Sequence, residues 1–118
     1  MQRGEIWTLQ DDGYASKARP VAIIQGELGD AFDSVVLCLF TTFDSSKIET
    51  RVSIEPTPTN GLKKLSYVMT DKIVTVARSE LGTCMGFLTN AQMHEIAKQI
   101  AKLLVITRED IEDMVSEA

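Results

Sequence analysis

Arg19 stands immediately before a proline and an apolar run, Pro20-Val21-Ala22-Ile23-Ile24-Gln25, and Thr41-Thr42 close a second apolar run that begins at Val35. Proline fixes its own backbone angle and pushes the preceding residue into an extended conformation. A cation is thereby set at the mouth of one buried strand and two hydroxyls at the mouth of another, side chains of the kind that line binding sites. Asp71-Lys72, an acid and a base between two short apolar stretches, suits either substrate orientation or a solvated ion pair at a hairpin corner. The single histidine, His94, lies on a helical pattern with no nucleophile or carboxylate placed beside it by a motif, and reads as solvent-facing. No metal is expected: one histidine and two distant cysteines, Cys38 and Cys84, cannot supply the common zinc sets.

The elements that must position these groups follow from periodicity. Glu5-Ile6-Trp7-Thr8-Leu9 alternates polar and apolar as a half-buried strand does, and Asp11-Asp12-Gly13 breaks it, giving a loop over 10–18. Pro20–Gln25 and Val35–Thr42 are the next strands, the latter apolar enough to be buried on both faces. Ile48–Ile54 alternates again, and 55–64, with two prolines and Asn60-Gly61, is loop. Leu65–Met69 and Ile73–Val76 read as two short strands on either side of Asp71-Lys72. Thr89-Asn90-Ala91-Gln92 has capping-box spacing, opening a helix with Met93, Ile96, Ala97, Ile100, Leu103 and Leu104 on one stripe. Thr107-Arg108-Glu109-Asp110 opens a short acidic segment with Ile111, Met114 and Val115 about one turn apart. Many short strands followed by a helix, without βαβ alternation, imply a mainly β, α+β domain built on a strongly curved sheet or open barrel.

Bulk composition bounds the rest. A chain of 118 residues, 44% hydrophobic, can bury one core and is short for two domains, so 1–118 is read as a single domain with an acidic segment at 108–118. The apolar runs are too short for a membrane span, and the first residues run straight into strand pattern, which implies a cytoplasmic protein with reduced thiols. The net charge of -5 speaks against nucleic acid only until it is located. Residues 109–118 hold five carboxylates and no cation, leaving 12 basic and 12 acidic groups in 1–108. Lys17, Arg19, Lys47, Arg51, Lys63, Lys64 and Lys72 fall in or beside expected loops. They gather into a basic groove or are scattered solubilising charge.

Arg3-Gly4-Glu5-Ile6-Trp7, Arg19-Pro20-Val21-Ala22-Ile23-Ile24-Gln25, Thr41-Thr42 and Asp71-Lys72-Ile73-Val74-Thr75-Val76, in this order and followed by the helix, resemble the MazF/PemK family of bacterial toxins over residues 3 to about 106. The resemblance implies an SH3-like curved antiparallel sheet with a carboxy-terminal helix, a homodimer, a cognate MazE-like antitoxin, and a sequence-specific endoribonuclease acting on single-stranded RNA such as mRNA. It further implies attack by a ribose 2′-hydroxyl on the adjacent phosphate without metal or other cofactor. Carried over by position, the family's catalytic arginine and threonine fall on Arg19 and Thr42, with Lys17, Gln25, Thr41, Ser45, Lys47, Asp71 and Lys72 expected to contact RNA. A guanidinium presents a rigid donor fork to phosphoryl oxygens, and its pKa above about 12 favours charge stabilisation over service as a base. If the strand stays regular, Thr41 alternates away from Thr42 and is the weaker candidate.

The chain departs from the family in Gly13-Tyr14-Ala15-Ser16-Lys17-Ala18, where a Gly-Ser-Glu-Gln-like stretch is common, and at Met69 and Val74, where basic residues occur. Any cationic role there is missing or moved to Lys72 or Arg78. The other function class compatible with the scaffold is a non-catalytic, topoisomerase-binding toxin of the CcdB type, acting through the carboxy-terminal helix. Residues Met114-Val115-Ser116-Glu117-Ala118 give that reading no match.

Overall fold

The computed structural model describes residues 1–11 and 15–117, and the side chains of these other than at 11, 15–17 and 113–117. The expected turn at Asp12-Gly13 and the Met114 and Val115 side chains lie outside that set. Among the described residues six strands form one sheet: β1 (Glu5–Asp11), β2 (Ala15–Ile23), β3 (Ser34–Thr41), β4 (Val52–Ile54), β5 (Ser66–Ala77) and β6 (Leu81–Phe87). Two helices follow, α1 (Asn90–Leu104) and α2 (Arg108–Glu117). The strand order is β4-β5-β3-β2-β1-β6, antiparallel throughout.

β5 and β6 lie four strand spacings apart in that order, yet only Arg78–Glu80 joins them. A flat sheet would separate them by roughly 19 Å. Three intervening residues reach roughly 14 Å at full stretch. The sheet must therefore curl into a half-barrel. Leu81 of β6 accordingly joins Val76, Val35, Leu37, Val21, Ile23 and Leu9 in one buried cluster that the curl itself closes. The opposite face buries Ile6, Ala22, Cys38, Ile54 and Val68 beneath Met93 and Ile96 of α1. The curled sheet with its terminal helix is the mainly β architecture the sequence implies.

The strand boundaries differ from the alternation pattern in instructive ways. β2 begins at Ala15, so most of the expected loop 10–18 is hairpin. Only Val52–Ile54 of the expected Ile48–Ile54 strand pairs with β5, because Ile48 and Arg51 are held in turns by bonds from Ile48 N to Ser45 O and from Arg51 N to Ile48 O. The two short strands around Asp71-Lys72 are one long strand. Cys38 pairs with Ile73 while its neighbour Leu39 pairs with Met69, so Thr70, Asp71 and Lys72 are looped out as a bulge rather than a hairpin corner. Thr70 is buried within it, its hydroxyl donating to Thr50 O at 2.6 Å.

Helix α1 starts as expected, with Thr89 Oγ1 accepting from Gln92 N and Gln92 Oε1 accepting from Thr89 N. Its second half runs past the sheet. Ala97, Leu103 and Leu104 are exposed, while Gln99 is buried. Thr107 N and Oγ1 donate to Asp110 Oδ2 at 2.7 and 3.0 Å, opening α2 where the cap pattern puts it. Between the helices Val105 adopts the left-handed conformation at φ 55°, and Ile106 N closes onto Ala101 O.

A β-branched residue in that conformation is strained where glycine is not. Val105 is 74% exposed and gives up little packing. Val105→Gly is expected to stabilise the protein by about 0.5–1 kcal/mol, read as a rise in the thermal midpoint; an unchanged or lower midpoint contradicts the strain argument.

Candidate active site at the strand mouths

β2 and β3 are aligned with Val21 opposite Leu39. Extending that register two residues sets Arg19 opposite Thr41 and Ala18 opposite Thr42. Directly opposite residues share a face of the sheet. Arg19 and Thr41 accordingly line one cleft of about 230 Å³ with Leu9, Val21, Leu39 and Met69. Thr42 turns into a neighbouring cleft of about 330 Å³, walled by Thr8, Leu62, Lys63, Lys64, Ser66 and Met85. Pro20 borders both, and a saddle of about 110 Å³ between them is edged by Arg19, Thr41, Thr42 and Ser66. Arg19 thus shares the first cleft with Thr41 and the saddle with both threonines, while Thr42 alone of the two also reaches the second cleft.

Among the described residues the Arg19 side chain makes no hydrogen bond or ion pair, and the residue is exposed. Its fork of donors is open to an anion. Thr41 Oγ1 accepts from Phe43 N at 3.1 Å, which fixes the oxygen and leaves the hydroxyl proton free to donate. Lys63 and Lys64, two of the loop cations that the sequence offers either to a basic groove or to scattered charge, are brought to the second cleft. The loop holding them is pinned by Asn60, whose amide accepts from Thr57 N and Leu62 N and donates to Glu55 O. Gly61, at φ 71°, passes so close to Met85 O that a Cβ would sit 2.5 Å from it.

The segment after Thr42 is braced at several points. Arg51 donates from Nε and Nη2 to both oxygens of Asp71, each at 3.0 Å, and from Nη1 to Ser45 Oγ at 3.1 Å. Ser45, 1% exposed, donates in turn to Phe43 O at 3.0 Å. Tyr67 OH donates to Asp44 Oδ1, and Lys102 of α1 pairs with Glu49. The Arg51 hydrogen bonds hold the Asp71 carboxyl below its ordinary range against the opposing effect of burial, with Lys72 adding to them.

Several residues expected at an RNA surface have other partners. Asp71 is engaged by Arg51, and Lys72 lies 3.7 Å from the same carboxylate. Ser45 is buried in the brace. Gln25 lies six residues beyond Arg19, about 20 Å along an extended chain, where Oε1 accepts from Val36 N. Lys47 is exposed on the braced loop and lines none of the three clefts. The side chain of Lys17 lies outside the described set. Arg78 does not replace a basic residue at Val74, since Nε and Nη2 hold Phe32 O and Gly29 O. Met69 forms an apolar wall beside Arg19. Cys38 is buried with its thiol pushed up to about 12, by burial first and by Asp71 second, which keeps it protonated and inert.

The family described as PemK-like, MazF-like toxin of type II toxin-antitoxin systems matches residues 2–104. A probable endoribonuclease MazF of Mycolicibacterium smegmatis is 45% identical over 94 residues, spanning 79% of this chain and 86% of that protein. An endoribonuclease from a mycobacterial species, solved in complex with its cognate antitoxin, superposes with a TM-score of 0.76 at 30% identity, covering 91% of this chain and 97% of that one. The Mycobacterium tuberculosis toxin MazF-mt6 superposes at 0.74 with 28% identity, covering 87% and 98%.

A carboxylate with a depressed pKa contributes stability above its unfolded value and loses it as pH falls through the folded one. Asp71→Asn is therefore expected to cost up to about 1 kcal/mol at pH 7, a gap that narrows below about pH 4. Urea denaturation of both proteins at pH 7 and pH 3 checks this; a gap of equal size at both values rules the ion pair out as its source.

Proposed function

Because the chain belongs to the PemK-like, MazF-like toxins of type II toxin-antitoxin systems, we propose that it is an endoribonuclease cutting single-stranded RNA, mRNA above all, at short sequences, and so arresting translation and growth. The observation that carries this reading is the pairing of an unengaged guanidinium with a hydroxyl whose proton is free, held across adjacent strands at an open rim.

The chemistry is transfer within the RNA. The 2′-hydroxyl gives up its proton as its oxygen attacks the adjacent phosphorus, the bond to the 5′-oxygen of the next nucleotide breaks, and that oxygen takes up a proton, so the products are a 2′,3′-cyclic phosphate and a 5′-hydroxyl. Negative charge gathers on the non-bridging oxygens in the transition state. Arg19 meets it with parallel donors, and the hydroxyl of Thr41 adds another from the facing strand. Thr42, at the saddle, contacts the same phosphate or its neighbour, and Lys63 and Lys64 carry the backbone through the second cleft. None of these roles needs a metal ion.

The protein acts as a homodimer held in check by a cognate antitoxin. What supports this is the relative solved with its antitoxin and the exposed apolar run Leu103, Leu104, Val105 and Ile106 at the end of α1, a surface suited to a partner chain.

Purified protein is expected to cut a mixed-sequence RNA in EDTA, leaving 5′-hydroxyl ends. Arg19→Ala and Thr41→Val each lower the rate by about 10²- to 10³-fold while remaining folded, and Thr42→Val has the smaller effect of the two threonines. End-mapping by sequencing and single-turnover rates are the measurements. Intact RNA with the wild type returns the scaffold to a non-catalytic binding role, and undiminished cutting by Arg19→Ala removes that residue from the mechanism.

A further inference from the structure

Phe43 follows the two threonines directly and is 75% exposed, although its backbone is hydrogen-bonded at both its N–H and its carbonyl. Its N–H donates to Thr41 Oγ1 and its carbonyl accepts from Ser45 Oγ, itself buried and gripped by Arg51. The ring is therefore presented to water from a backbone fixed on both sides, two residues from the hydroxyl that faces Arg19. An exposed aromatic ring beside an open cation and a hydroxyl donor matches one kind of ligand well: unpaired nucleobases offer flat π-faces, and the chain that carries them is anionic. A strand whose phosphate sits at Arg19 brings its flanking bases to this level of the rim.

We propose that Phe43 is a stacking platform for a nucleobase flanking the scissile phosphate, and that the bond from Arg51 to Ser45 and the bond from Ser45 to the Phe43 carbonyl hold that platform at a set height above the cleft. The proposal rests on the endoribonuclease reading. Phe43 acts in substrate binding rather than in the chemical step, so its loss raises KM and leaves kcat nearly unchanged. The face of the ring, not its hydrophobic volume, is what a base recognises. Tyrosine and tryptophan therefore substitute for it, and leucine does not.

The test uses the full chain and the cut site mapped on RNA. Its probe is the same single strand with 2′-deoxyribose, which lacks the attacking hydroxyl and is bound without being cut. Phe43→Ala and Phe43→Leu are expected to weaken binding of this strand by about 5- to 100-fold, and Phe43→Tyr and Phe43→Trp to stay within about twofold of the wild type. Sedimentation of each variant reports self-association. Leucine binding as well as phenylalanine, all four variants binding alike, or a loss of affinity that tracks a loss of self-association overturns the platform while leaving the endoribonuclease reading intact. A wild-type protein that leaves RNA uncut overturns both.

Discussion

Three residues, Arg78–Glu80, joining two strands that are not neighbours are the constraint from which the rest of this molecule follows. Their reach forces the sheet to close on itself, and closure divides the protein's interior in two. One face is sealed by the curl, which lets Leu81 meet Val76 and Val35. The other is left for α1 to cover through Met93 and Ile96. The link is itself secured by Arg78, which donates to the carbonyls of Gly29 and Phe32 and pairs with Asp30. A charged side chain spent on carbonyls here is unavailable to the cleft. The cleft's cations come instead from β2 and from the loop before β5.

Function divides between groups left open and groups fully engaged. Arg19 and the Thr41 hydroxyl proton have no described side-chain partner in the protein, whereas Asp71, Arg51 and Ser45 satisfy one another beneath the adjoining turn and Thr70 donates to Thr50 O. Preorganised donors act without reorganisation at the moment of reaction, and they remain open because the neighbouring polar groups are already matched. The bulge at Thr70–Lys72 makes this possible. It throws a carboxylate out of the ladder to the position where Arg51 arrives from the loop after β3.

Much of the frame was legible in the sequence. The alternation around Ile6, the apolar run into Thr41, the capping box at Thr89 and the basic-proline junction at Arg19 each carry a local signal that tertiary structure respected. Non-local features were not legible. Thr70, Asp71 and Lys72 interrupt an apolar pattern in the same way whether the chain turns or bulges, so one long strand reads as two short ones. Leu81–Phe87 contains Gly82, Thr83 and Gly86 and lacks alternation, because β6 is an edge strand selected by pairing with β1 rather than by its own propensity. Gln25 has the chemistry of an RNA contact, but it follows the end of β2 and its amide oxygen is spent on Val36 N. Lys63 and Lys64 reach the cleft only because Asn60 and Gly61 fasten their loop against β6. Assigning the two threonines to faces required the β2–β3 register, which strand alternation alone does not supply.

The pairing of β1 with β6 also orders events in time. Glu5 lies opposite Phe87, and the larger cleft is walled by Thr8 from the first strand and Met85 from the last. A contact between residues so distant along the chain forms slowly and late, after the intervening loop has been closed. On a ribosome the wall cannot be finished until β6 has emerged, by which point Arg19, Thr41 and the lysines are already exposed outside the tunnel. Synthesis and completion of this cleft are thus separated, and the interval between them is set by topology.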